Sequence, residues 1–277
     1  MFKKLLKHDF KAIYKNALPL SIAALACSVI GGISINILNH SSNIHSVFKA
    51  MLGLSSLLSA LVIVAAILGF QILIYAHFYK NLFTDEGYLT FTLPVKRFSI
   101  LLSKTLNALI WTTISGVVAV VLVLICMIFA GETVGVVELF KSFAKIFAFR
   151  SFLEGFWIMV YILECILICV AISAMQINLI QFCISFGSTL AKKHKVLASF
   201  GIYYVVNAAT SFAFQIFAIL NVNPIADMFA YLSRNNPHLL LVAIALLLLL
   251  IFIIVAAIAV LFFSLSMRRI KYHLNIS

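Results

Sequence analysis

The amino-acid sequence predicts an all-α membrane protein: a bundle of six transmembrane helices with an N-terminal interfacial helix and both termini in the cytoplasm. Three observations lead to this fold class: an apolar composition, six long stretches with almost no charge, and an uneven distribution of Lys and Arg. Of the 277 residues, 64% are hydrophobic and 10% are charged, whereas about 25% of the residues in a soluble domain are charged. A soluble chain of this length has too little interior for so much apolar surface, so the bilayer is the expected solvent.

Six stretches of the chain are long enough to cross the hydrocarbon core, for which about 20 apolar residues suffice. Five of them contain no Asp, Glu, Lys or Arg, and the stretch that is fourth in order contains one acid, Glu164. A charge at the bilayer centre costs about 2.5 to 3.5 kcal/mol on insertion scales, so charge-free windows mark the spans. The predicted transmembrane helices are residues 17–38, 52–79, 105–130, 155–186, 198–221 and 239–267.

The positive charges predict the orientation of this bundle. Of the 20 Lys and Arg, fifteen fall in the N-terminal segment, the second and fourth loops and the C-terminal tail. Basic residues concentrate on the cytoplasmic side of membrane proteins, so both termini are expected there. The net charge of +12 would suggest nucleic acid as a partner of a soluble protein. Here the basic residues flank apolar stretches, so membrane lipids with anionic head groups are expected partners and nucleic acid is not.

Two flanking stretches are amphipathic. Within residues 1–16, lysines recur every four residues from Lys3 to Lys15 opposite an apolar face, which predicts a helix lying on the cytoplasmic membrane surface. Residues 134–152 place two lysines one helical turn apart beside several phenylalanines, which predicts a second amphipathic helix on the outer surface. Simple anchoring in the membrane and contact with a partner protein are both consistent with these helices.

The sequence contains no motif for catalysis or for a built-in energy source. It has no GxxxxGK[ST] phosphate loop, no GxGxxG after a strand, no HExxH and no GxSxG, so the chain is not expected to be an enzyme. The five cysteines lie in apolar runs, which favours free thiols over disulfides. Cys165 and Cys169 are one helical turn apart, but no further ligand completes a metal site. No cofactor or metal is expected on this chain.

Polar side chains in the fourth span are candidates for a translocation path. Glu164 is an acid inside a span, and such acids are commonly functional. The alternative is an acid that snorkels outward or stays protonated in a hydrogen bond. Asn178, Gln181 and Ser185 recur on one helix face near the cytoplasmic end. They would either line an inner vestibule or hold neighbouring helices together by hydrogen bonds.

Residues 80–104, between the second and third spans, form an unusual cytoplasmic loop. An acidic pair and a glycine precede alternating apolar and aromatic residues, and a proline and a basic pair follow. Aromatic groups beside fixed charges suit a protein-docking surface, whereas a segment lying against the membrane is the alternative. The candidate docking residues are Asp85, Glu86, Gly87, Tyr88, Leu89, Phe91 and Pro94.

The stretch FYKNLFTDEGYLTFTLPVKRFSILLSKTLNALIW, residues 78–111, resembles the corresponding part of type-2 ATP-binding-cassette (ABC) permeases of Gram-positive bacteria. The most recognisable part is TLPV followed by a basic pair, an apolar run and Lys104. Six spans, cytoplasmic termini, an N-terminal interfacial helix and the basic tail RRIKYHLN are also similar to that family, so the resemblance extends over most of the chain.

The resemblance implies the permease subunit of an exporter in the bacterial plasma membrane. Such a permease pairs with a second copy or a paralogue, and with soluble ABC ATPase subunits that hold ATP and Mg²⁺. Asp85, Glu86, Tyr88, Leu89 and Phe91 match the family's coupling helix, which sits in a groove of the ATPase. Exported antimicrobial peptides, drugs and lipid-like molecules all suit an apolar cavity. The residues alone leave two alternatives open, an ATP-independent carrier or channel and a non-transporting scaffold or sensor subunit.

Overall fold

A computed structural model describes residues 2–40, 45–84, 87, 92, 95–147, 152–190 and 194–272. These residues contain seven long or medium α-helices and no β-strand. Six of the helices are long and apolar enough to cross a membrane, which confirms the predicted all-α bundle. The helices are α1 (Phe2–His40), α2 (Ser46–Phe83), α3 (Arg97–Phe129), α4 (Thr133–Ile146), α5 (Phe152–Leu190), α6 (Lys195–Asn235) and α7 (Pro237–Tyr272).

The six long helices exceed the predicted spans at most of their ends. They contain between 33 and 41 residues, which corresponds to lengths of about 50 to 60 Å against a hydrocarbon core of about 30 Å. The prediction used charge-free windows, and these windows mark only the part of a helix that crosses hydrocarbon. Backbone hydrogen bonds continue through the polar flanks, so the helices do too.

Two segments that were predicted to be cytoplasmic, residues 1–16 and 80–104, have different boundaries in the structure. Residues 1–16 are not separated from the first span, because both belong to the continuous helix α1. The interfacial position of this first part of α1 stays a prediction. The loop predicted over residues 80–104 is shorter than expected, since 80–83 end α2 and 97–104 begin α3.

The ends of the outer amphipathic helix and of the fifth span also differ from the prediction. The outer amphipathic helix predicted over residues 134–152 ends at Ile146, and Phe152 already begins α5. Phenylalanines continue on both sides of this break, so the apolar pattern does not reveal it. The fifth span was predicted over 198–221, whereas its helix continues to Asn235.

The described helices belong to two compact units. The first unit consists of residues 1–78 and 102–148, which include α1, α4 and most of α2 and α3. The second unit consists of residues 79–101 and 149–277, which include α5, α6 and α7 and the adjoining ends of α2 and α3. Each unit has its own packing.

In the first unit, α1 packs against α2 and α3 through small residues. A Cβ atom at Gly32 would lie 2.7 Å from the Cys126 carbonyl oxygen, so only glycine allows this approach of α1 to α3. The Ser28 hydroxyl donates a hydrogen bond to the Leu122 carbonyl at 2.6 Å. Small residues that let backbones approach closely are typical of helix packing in membranes.

In the second unit, α5 packs against α6 and α7 mainly through apolar side chains. One buried cluster contains Leu179 and Cys183 of α5 and Phe262 of α7, and side chains of α6 pack against it. The Tyr161 hydroxyl donates to the Leu241 carbonyl at 2.9 Å and so ties α5 to α7. Hydrogen bonds to backbone carbonyls supplement the apolar contacts in this unit.

Candidate functional site

The predicted docking residues fall mostly outside the part of the chain that the structure describes. Asp85, Glu86, Tyr88, Leu89, Phe91 and Pro94 lie outside the described residues, and their docking role stays a prediction. Gly87 is described and buried, and its N–H donates to the Thr84 carbonyl at 2.8 Å. A Cβ atom at Gly87 would lie 2.7 Å from the Leu82 carbonyl oxygen. The turn that follows α2 therefore requires glycine at this position.

Arg97, which follows the predicted docking residues and begins α3, is held by hydrogen bonds to the end of α7. Within the second unit, the Arg97 guanidinium donates to the carbonyls of Ile270 and Lys271 at 3.3 and 3.1 Å. These carbonyls belong to the last turn of α7, where no intrahelical partner is available. A positive charge at this position also interacts favourably with the negative end of the α7 dipole.

The most distinctive site of the first unit is a buried pair of charged side chains with a neighbouring histidine, and the three residues come from three helices. Asp9 of α1 is 1% exposed and Lys104 of α3 is 5% exposed. The Lys104 ammonium lies 2.5 Å from Asp9 Oδ1. His77 of α2 places Nε2 3.4 Å from the same oxygen. We call these three residues the Asp9 cluster.

Further polar groups surround the Asp9 cluster on α3. Asn107 and Trp111 lie three and seven residues after Lys104, on the same helix face, and both are buried. The indole of Trp111 stacks on Phe10 of α1 with ring centroids 4.9 Å apart. Within the described residues, Asp9 Oδ2, Asn107 Oδ1 and Trp111 Nε1 are buried without a hydrogen-bond partner. Such groups destabilise the folded state by about 1 to 3 kcal/mol each, so their retention points to a role beyond packing.

The Asp9 cluster was not predicted from the sequence, although one signal was present. Asp9 follows Leu5 and precedes Ile13 by four residues each, so it lies on the apolar face of an amphipathic helix. An acid on that face requires a partner once the face is packed. This signal identifies Asp9 but not Lys104, which is 95 residues away in the chain.

The predicted polar residues of the fourth span divide into two kinds of environment. Asn178, Gln181 and Ser185 are buried within the second unit, and Asn178 Nδ2 donates to the Ala259 carbonyl at 3.0 Å. Their burial agrees with the helix-packing alternative, and their place in a translocation path stays a prediction. Glu164 is half-buried, and its Oε2 is buried without a hydrogen-bond partner among the described residues.

The fifth span, α6, combines polar composition with exposure. It has the lowest mean hydropathy of the six candidate spans, and none of the residues in its most apolar stretch is buried. Gln215 lies well inside the helix and is exposed. Its amide makes no hydrogen bond to another described residue. Hydrocarbon cannot satisfy this amide, so lipid alone is an unfavourable neighbour.

One face of α6 carries three polar residues together with an alanine and a phenylalanine. Asn207, Ser211, Phe214, Ala218 and Asn221 follow each other at alternating spacings of four and three residues. This spacing forms the seam along which two helices pack side by side. Small and amide side chains are the residue types that hold transmembrane helices together. The seam, which we call the α6 polar face, therefore suits a protein partner or water.

No protein-family model, no curated protein and no solved structure matches the chain. Among the described residues, no group of three or more His, Cys, Asp or Glu could hold a metal ion. The arrangements that bear on function are thus the Asp9 cluster and the α6 polar face. The first is a buried ion pair between α1 and α3 with a histidine of α2 beside it, and the second is a polar surface within a span.

Proposed function

We propose that this chain is the membrane-spanning permease of an ATP-driven exporter of the ABC type. It pairs with a second copy or a paralogue and with soluble ATPase subunits. Substrate enters from the cytoplasm or the inner leaflet and leaves outward as the pair of permeases shifts between two conformations. An apolar or amphipathic molecule such as a peptide, drug or lipid suits the apolar spans.

The α6 polar face is the observation that carries this proposal. A polar face within a span is unfavourable against lipid, and the side-chain amide of Asn207 on this face makes no hydrogen bond to another described residue. A partner permease supplies side chains that pack on this face, and a translocation path supplies water. Either the partner permease or water in the path removes the unfavourable contact with lipid. An exporter built from two permeases provides a partner surface and a path.

The ATP requirement rests on residues 78–111, which resemble the coupling region of type-2 ABC permeases. The chain has no phosphate loop, which is expected when ATP is hydrolysed by another polypeptide. The described helices α2 and α3 flank residues 84–96. A short segment between two long helices is well suited to transmit movement of a bound ATPase to the spans.

Thiol accessibility of α6 tests the translocation path. In a variant whose five native cysteines are replaced, Ser211→Cys on the α6 polar face is compared with Ile216→Cys on the opposite face. Both positions are exposed in the single chain. We expect a membrane-impermeant, charged thiol reagent to label Ser211→Cys in membranes and to leave Ile216→Cys unlabelled.

ATP provides the second variable of this experiment. Labelling of Ser211→Cys should change when the ATPase subunits are present and ATP is added, because the path opens to opposite sides in the two conformations. Equal labelling of both positions, or labelling of Ile216→Cys alone, would contradict a path along the α6 polar face.

One observation favours an ATP-independent carrier as a second candidate. The buried Oε2 of Glu164 has no hydrogen-bond partner among the described residues, and acids in spans are frequent in ion- or proton-coupled carriers. Glu164→Gln separates the two candidates in a transport assay. Loss of transport in membranes that contain no ATPase subunit would support the carrier, whereas full transport activity of the variant would exclude Glu164 as a transport group.

A further inference from the structure

We infer that Asp9 is a positioning residue, which couples α1 to both helices that flank residues 84–96. We call residues 84–96 the coupling segment. His77 lies six residues before the end of α2, and Lys104 lies seven residues after the start of α3. Both side chains approach the same carboxylate oxygen, at 3.4 and 2.5 Å. The inference rests on the proposed function, in which an ATPase displaces the coupling segment.

The burial of the ion pair makes the coupling strong. Asp9 and Lys104 are 1% and 5% exposed, so neither charge can turn to solvent when a helix moves. Separating the two charges inside the protein is far more unfavourable than separating them in water, because the effective dielectric constant is lower there. Helix α3 therefore carries α1 with it when its first turns move.

The surrounding contacts extend this coupling beyond one bond. Phe10, next to Asp9, stacks on Trp111, which lies two turns after Lys104. The first part of α1 is thus held to α3 by a charge contact and an aromatic contact. The unpartnered Asp9 Oδ2 and Asn107 Oδ1 indicate that this arrangement is not optimised for stability alone.

Helix α1 connects the Asp9 cluster to the other end of the first unit. It is one continuous helix of 39 residues. Near its C-terminal end, the Asn36 amide donates to the Phe129 carbonyl of α3 at 3.1 Å. A displacement imposed on Asp9 is therefore transmitted along α1 to contacts with the far end of α3, which is the kind of two-ended contact that a coupled movement requires.

The test separates positioning from stability by removing both charges together. The variant Asp9→Leu with Lys104→Met leaves no buried charge unpaired, and such apolar replacements commonly keep a protein folded. The control Lys11→Met removes an exposed charge from the same helix. The conservative variant Asp9→Glu with Lys104→Arg keeps the ion pair. Each permease is purified with its ATPase, and thermal unfolding and permease-stimulated ATPase activity are measured.

We expect the apolar double variant to unfold at the wild-type temperature and to lose stimulation by about ten-fold, a coupling factor common in allosteric proteins. The Lys11→Met control should retain stimulation, and the conservative variant should retain most of it. Wild-type stimulation in the apolar double variant would overturn the inference while leaving the proposed function intact. A wild-type permease that neither binds nor stimulates the ATPase would overturn both.

A second measurement covers the case in which the double variant does not fold. Lys11 on α1 and Thr113 on α3, both exposed, are replaced by cysteines that carry nitroxide labels. The chain keeps the wild-type Asp9 cluster. Electron–electron distance measurements compare the complex with bound ATP and with ADP. An unchanged distance while labels elsewhere in the complex move supports a coupled pair of helices. A shift of the distance between α1 and α3 would overturn the inference.

Discussion

The two units of the chain hold their helices together by different chemistry. In the first unit, α1 meets its neighbours through a buried ion pair, aromatic stacking and a glycine contact at Gly32. In the second unit, α5 and α7 meet through apolar side chains and hydrogen bonds to backbone carbonyls, and α6 remains mostly exposed. Separating a buried ion pair is strongly unfavourable, whereas apolar contacts tolerate small changes in packing. The first unit is therefore suited to transmit movement and the second to accept a partner.

The largest effect should come from breaking the Asp9 cluster on one side. Asp9→Asn leaves the Lys104 ammonium buried without its counter-charge, and loss of one partner of a buried pair destabilises by about 3 to 5 kcal/mol. Unfolding of the purified permease in detergent with increasing denaturant measures this loss. A loss no larger than that of Lys11→Met, an exposed charge on the same helix, would show that the cluster is not buried in the folded protein.

A smaller loss is expected from the glycine contact of the first unit. In Gly32→Ala, the new methyl group meets the Cys126 carbonyl and the Phe129 Cβ, each 2.7 Å from the ideal Cβ position. Overpacking of this kind destabilises by about 1 to 3 kcal/mol. The matched control is Gly53→Ala, since no heavy atom lies within 4 Å of a Cβ at that helical position. The control should gain about 0.5 to 1 kcal/mol from helix propensity. Equal effects of the two variants would contradict the close approach of α1 and α3.

The second unit should be less sensitive to loss of a polar group. Asn178→Leu removes the hydrogen bond to the Ala259 carbonyl and also the Asn178 Oδ1 that has no partner. Hydrogen bonds between membrane helices contribute about 0.6 kcal/mol on average, so the free energy of unfolding should change by less than about 1 kcal/mol. A loss as large as that of Asp9→Asn would mean that the two units do not differ in this respect.

The smallest effect on stability is expected at α6. Gln215 is exposed and makes no hydrogen bond to another described residue, so Gln215→Leu should leave the unfolding free energy within about 0.5 kcal/mol. Transport should nevertheless fall if the amide contacts a partner or the translocation path. Ile216→Leu at the next position is the control, and an equal loss of transport in both variants would argue against a special role of the Gln215 amide.

The helices were predictable because their signal is local. Long apolar windows with at most one charged residue identify all six spans in order, since every charge in hydrocarbon is unfavourable. Helix ends were not predictable by the same means. Residues 97–104 belong to α3 although they contain two basic residues, because the backbone bonds that make a helix do not depend on apolar side chains. The end of the amphipathic helix at Ile146 was not predicted because phenylalanines follow on both sides of it.

The sites were less predictable because they depend on packing between distant segments. The sequence pattern placed Asn178 and Gln181 on one face, but their burial follows from the position of α7 beside α5. The ion pair of Asp9 and Lys104 joins residues 95 positions apart, and no spacing rule connects them. The acid on the apolar face of α1 was a visible signal. Its partner became identifiable only with the fold.

The most direct test of the permease proposal is binding and stimulation of the ATPase through the coupling segment. Tyr88→Asp with Leu89→Asp places charges at two predicted docking residues, and Phe143→Asp on the exposed face of α4 is the control. The permease is co-purified with a candidate ABC ATPase subunit, and ATP hydrolysis is measured. We predict that the docking variant loses co-purification and stimulated hydrolysis while the control keeps both. Unchanged co-purification and unchanged hydrolysis in the docking variant would contradict the proposed function.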